Sequence, residues 1–139
     1  MDKTVEVMVV KPRACNDVEF KVLDLCSFSS LKMIEVGNLS FTYVNEVRMV
    51  GLNKLLSVTI GWKCFRQIEG CSPNGSFYLK NCERLRELKI DCGSFEHYSV
   101  CEIENVPSLE VLEIGIMEKW SANFFYASLE LKSSCYEVE

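Results

Sequence analysis

Apolar residues along this chain come in short bursts, and the bursts recur. The stretch Leu85-Arg-Glu-Leu88-Lys-Ile90 has the form LxxLxI, and the same form starts again at Leu109, 24 residues later. The template fits five times, starting at Val5, Leu31, Leu55, Leu85 and Leu109, with spacings of 26, 24, 30 and 24 residues. Self-similarity at such a period is the signature of a chain that coils, because one unit cannot bury its apolar face alone and must stack on its neighbours.

Each unit holds three inward positions in its first segment. They are Val5, Met8 and Val10; Leu31, Ile34 and Val36; Leu55, Val58 and Ile60; Leu85, Leu88 and Ile90; and Leu109, Leu112 and Ile114. The last two of each set are two apart, which is the period of a strand and not of a helix. A second apolar pair precedes each new start: Leu23 and Leu25, Val47 and Met49, Phe77 and Leu79, Cys101 and Ile103, Leu129 and Leu131. The spacing predicts a second short strand per unit. The expected fold is therefore a β-rich solenoid of two parallel sheets of short strands, with little helix.

The residues between the strands predict two corners per unit. Gly37, Gly61 and Gly115 share one slot, with Asp91 in the fourth unit, and glycine there suits a sharp bend or a positive φ. Phe41, Phe65 and Phe95 share another and are expected to stack unit over unit. Cys15 stands in that slot in the first unit, and Lys119 followed by Trp120 in the last. At the opposite corner stand Ser27, Gly51, Asn81, Asn105 and Ser133, small or amide residues that can satisfy turn peptide groups.

LxxLxI recurring about every 24 residues resembles the leucine-rich repeat family, from Val5 to about Lys132. The longer phrase, Ile60-Gly61-x-x-Cys64-Phe65 and then Phe77-x-Leu79-x-Asn81-x-x-x-Leu85, is similar to the variant repeats of large leucine-rich proteins from microbial eukaryotes. The common consensus places asparagine just after the first strand. Here that slot holds Leu39, Lys63 or Gly93, and the amide sits at the other corner. The resemblance implies a single leucine-rich-repeat domain over residues 1–139, a horseshoe-like segment used for protein recognition without catalysis.

In such a coil, the residues between inward positions face out. Val7, Met33, Ser57, Glu87 and Val111 would form one outward column of the first sheet, and Val9, Glu35, Thr59, Lys89 and Glu113 the next. Parallel arrays of this kind are how repeat proteins build extended, concave binding faces. Four apolar members make this the expected partner-binding surface. The third unit carries an insertion over 66–76 with the turn signal Pro73-Asn74-Gly75, a second candidate contact.

Composition narrows the classes. The net charge is −5 and the isoelectric point about 5.0, which argues against a binder of the phosphate backbone, since nucleic-acid proteins usually show a basic face. No apolar run reaches the length of a membrane span. The eight cysteines include no CxxC and fall in apolar slots, and the first residues do not form a secretion signal, so reduced thiols in a cytoplasmic protein are expected. His97 stands alone, no metal-ligand spacing appears and no phosphate loop is present, so no enzyme, cofactor or metal is expected.

Neither end shows the polar cap that usually closes a solenoid, which points to flanking repeats or self-association. The expected role is a non-catalytic protein–protein interaction scaffold. The alternatives are a structural segment of a larger repeat array or assembly without a ligand of its own, and a cell-surface adhesin or receptor ectodomain.

Overall fold

The computed structural model describes residues 4–66 and 75–115, and residues 128–132 as backbone. The strands, in chain order, are β1 (Val7–Val10), β2 (Val22–Asp24), β3 (Met33–Val36), β4 (Glu46–Val50), β5 (Ser57–Ile60), β6 (Gly75–Lys80), β7 (Glu87–Ile90), β8 (Tyr98–Glu104), β9 (Val111–Ile114) and β10 (Ser128–Lys132). Among the described residues there is no helix.

Odd-numbered strands form one sheet in the order β1-β3-β5-β7-β9, and even-numbered strands form the other in the order β10-β8-β6-β4-β2. Every pairing is parallel. The chain is thus a β-solenoid in which each turn gives one strand to each sheet. Register follows the repeat: Met8 stands beside Ile34, Ile34 beside Val58, Val58 beside Leu88 and Leu88 beside Leu112. A one-residue slip would turn each buried side chain outward, so alternation fixes this register.

The core lies between the sheets. Leu31, Ile34 and Val36, Leu55, Val58 and Ile60, and Leu85, Leu88 and Ile90 are buried from the first sheet. Leu23, Leu25, Val47, Met49, Phe77, Leu79, Cys101 and Ile103 are buried from the second. The inward residues of the outermost turns, among them Met8, Val10, Leu112 and Ile114, are only half-buried against this cluster. Phe41, Phe65 and Phe95 form the expected stack, with centroids 4.8 and 4.7 Å apart and planes nearly parallel. Tyr98 meets Phe95 edge-on, and its hydroxyl donates to Val44 O at 2.6 Å, satisfying a phenol that is otherwise fully buried. The side chains of Leu129 and Leu131, and residues Lys119, Trp120 and Ser133, lie outside what is described.

The glycine slot meets the expectation at Gly115, whose φ is 72°, and departs from it at the other two positions. Gly37 and Gly61 do not take a positive φ. They are small because the preceding turn crowds them: a Cβ on Gly37 would fall 2.5 Å from Pro12 N, and one on Gly61 would fall 2.4 Å from Asn38 Oδ1. Left-handed backbone appears instead two and four residues beyond this slot, at Arg13 and Cys15, Leu39 and Phe41, Lys63 and Phe65, and Gly93 and Phe95. Two such residues separated by one wind the chain tightly around the corner. At the other corner the left-handed residues are Gly51, Asn81 and Asn105, where the small and amide residues were expected. Asn105 Nδ2 donates to Asn81 Oδ1 at 2.9 Å, a link between successive turns.

Candidate functional site: the exterior of the first sheet

The register places the two outward columns as the spacing predicted. Val7, Met33, Ser57, Glu87 and Val111 are aligned across β1, β3, β5, β7 and β9, and Val9, Glu35, Thr59, Lys89 and Glu113 run alongside them. Parallel strands lie about 4.8 Å apart, so each column is a row of side chains on that pitch.

The two ends of this face differ. Val9 is 61% exposed, Val7 52% and Met33 38%, so β1 and β3 present an apolar patch interrupted by Glu35. From β5 onward the face is polar. Thr59 and Glu113 are exposed, whereas Ser57, Glu87, Lys89 and Val111 are half-buried. Lys89 Nζ lies 3.4 Å from Glu87 Oε1, a solvated pair that contributes little to stability. A cavity of about 260 Å³ opens where this face meets its corner, lined by Thr59, Lys89, Asp91 and Glu113 with the backbone of Gly61 and Gly115.

The second sheet's exterior is different in kind. Lys80 Nζ lies 2.7 Å from Glu102 and 2.9 Å from Glu104, and the two carboxylates hold its ammonium proton well above the ordinary lysine range. Arg48 pairs with Glu46 at 3.6 Å. Arg48 and Lys80 both lie against the ring of Tyr78, at 5.6 and 5.3 Å. Among the described residues of this face, Glu46, Arg48, Lys80, Glu102 and Glu104 pair with one another and Val22 is exposed, whereas the first sheet exposes Val7, Val9 and Met33 together.

The insertion candidate falls mostly outside the described residues, which omit 67–74. At its base, Arg66 Nε lies 3.5 Å from Glu96 Oε1, and His97 Nδ1 lies 2.8 Å from Arg66 O. The lone histidine is thus tied to backbone at a corner.

The six cysteines of the described part are free thiols. Burial pushes Cys82 up to about 11 and Cys101 up to about 12, and it raises Cys64 as well. These are protonated core hydrophobes and not nucleophiles. Among the described residues no group of His, Cys, Asp and Glu has the geometry to hold a metal ion, and no helix is long and apolar enough to cross a membrane.

What arrangement this leaves is a sheet face without a reactive group, half apolar and half polar, carried on a parallel coil. No family model, curated protein or solved structure matches the chain. Two features of the structure went beyond the sequence reading. One is the pair of left-handed residues at each corner after β1, β3, β5 and β7, most of them bulky: Arg13, Leu39, Phe41, Lys63, Phe65 and Phe95. The other is the concavity beside β1 and β2, lined by Phe20 and Phe28. Cys15 in the aromatic slot was a signal for the second, because no ring stacks in register there and Phe20 meets Phe41 edge-on instead.

Proposed function

We propose that this chain is a non-catalytic protein-binding scaffold of the leucine-rich-repeat type, working in the cytoplasm, whose partner lies across the exterior of the first sheet. One observation carries this reading. The first sheet exposes Val7, Val9 and Met33 side by side in aligned strands, while on the second sheet Glu46, Arg48, Lys80, Glu102 and Glu104 are paired with one another. Contiguous exposed apolar surface rimmed by polar groups marks an interaction site. Val111 continues the surface, and Glu35, Ser57, Thr59, Glu87, Lys89 and Glu113 supply its polar rim. The insertion over 66–76 is the second candidate contact.

Quantitative affinity capture with the intact chain tests this. Proteins enriched by the native chain should be lost with Met33→Asp/Glu35→Lys and retained with Tyr78→Ala on the second sheet, with both variants folded. Equal loss with both variants, or with neither, removes the first sheet from the binding reading.

The reading as a segment of a larger assembly also has an observation behind it. Met8, Val10, Phe20 and Phe28 are left half-buried at one end of the coil, where the next turn would lie.

A further inference from the structure

Among the described residues, no strand stacks on β1 and β2 on the side away from β3 and β4. A concavity of about 360 Å³ there is lined by Met8, Val10, Phe20, Leu23, Leu25 and Phe28. On either side of it runs a strand with one edge unpaired by any described strand. Gly37 N donates to Val10 O and Lys32 N to Glu6 O, both at 2.7 Å, so the even-numbered peptide groups of β1 turn toward β3. The peptide groups of Val7 and Val9 therefore point away, along the open edge. On β2, Leu25 N donates to Arg48 O and Asn45 N to Lys21 O, which turns Val22 and Asp24 to the open side in the same way. Val7, Val9, Val18, Val22 and Met33, exposed in the first two turns, outnumber Leu56 and Trp62, exposed in the third.

What covers such an end must bring two strand edges at once, running in opposite senses on either side of an apolar layer. A single extended peptide satisfies one edge and leaves the core open. The chain's own end has the required form. We propose that a second copy of this chain seats on it, related by a twofold axis that sets the two β1 strands antiparallel, centred on Met8.

That register is consistent with the strand's own alternation. It places Val7 opposite Val9 of the second copy on the outer face, and these are the residues whose peptide groups point to the open edge, so they exchange hydrogen bonds as an antiparallel pair does. It places Met8 opposite Met8 of the second copy in the core layer. The same axis brings the two β2 strands together and closes both concavities against each other. An interface of this kind uses one patch twice and stops at two copies. It also merges the two Val7–Val9–Met33 patches into one across the axis.

Light scattering on the 139-residue chain over a range of concentrations tests this. The expected result is one species of twice the 15.9 kDa chain mass. V9P removes an edge donor without touching the β1–β3 ladder, and edge strands tolerate proline. It should run as a monomer with unchanged circular dichroism. V7K/V9K sets like charges opposite each other across the axis and should weaken self-association at least tenfold, and it decides the matter should V9P fail to fold. A native chain that stays monomeric overturns the proposal. So does a mass that climbs without limit, which marks head-to-tail stacking, or a dimer that survives the substitutions.

Discussion

Leu88 stands in register between Val58 and Leu112 and is wholly buried. Replacing it with alanine empties a slot that the turns on both sides line, at a cost of about 2–5 kcal/mol, measurable as a shift of the urea midpoint. Arg13 has a different duty. It is exposed, and its φ of 63° puts its Cβ in a conformation that costs a residue other than glycine about 1–2 kcal/mol. Glycine is already used at the equivalent position of the fourth turn, Gly93, with φ 79°. Arg13→Gly should therefore raise stability by up to about 1 kcal/mol once glycine's own entropy is subtracted, read from the same denaturation curve. The inward role of Leu88 was legible because its neighbours at Ile90 and Leu85 repeat in other turns. The left-handed role of Arg13 was not. Arg13, Leu39 and Lys63 share no chemistry, since the corner selects backbone shape and accepts the strain.

Among the elements, the aromatic column binds turn to turn most directly. Phe65 has a ring on each face, so Phe65→Ala removes both stacked contacts and opens a cavity, costing about 3–5 kcal/mol. Tyr98→Phe keeps the ring against Phe95 but strands the Val44 carbonyl, at a cost of about 1–3 kcal/mol. Thermal unfolding of both variants checks the order. The short strands were legible from alternation, because an inward-outward pattern of period two has one physical reading. The length of β8 was less so. It begins at Tyr98, two residues before the valine that faces Ser76, and a bulge between Gly75 and Ser76 takes up the difference. Gly75 is required there, since a Cβ would fall 2.4 Å from the Tyr98 ring. The signal for Tyr98 lay in the repeat: Val44 follows Phe41 by three residues, as Tyr98 follows Phe95, and both are buried.

At the scale of the whole molecule, the coil separates what packs from what is free. The buried thiols belong to the first group and give it a pH signature. Cys82 and Cys101 hold their protons up to about 11 and 12 in the folded chain, against an ordinary value of 9.0. Unfolding lets them ionise at the lower value. Their contribution is therefore intact below pH 9 and is lost as pH rises through 11 to 12. The melting temperature should be flat from neutrality to about pH 8.5 and fall steeply above it, with Cys82→Ala/Cys101→Ala losing part of that slope. The candidate surface was legible at this scale, since the columns followed once the register did. The open end was legible only as a missing cap, because its cavity depends on how Phe20 and Phe28 fold beneath the first turn.

The division between packed and free residues is tested most directly on one strand, β3, where the two kinds alternate. Urea unfolding of Met33→Ala/Glu35→Ala, set against Ile34→Ala/Val36→Ala, compares them within four consecutive positions. The outward pair should change stability by no more than about 0.5 kcal/mol, and the inward pair should lose about 3 kcal/mol or more. A reversed order would place the outward columns in the core and remove the first sheet's exterior as a binding surface.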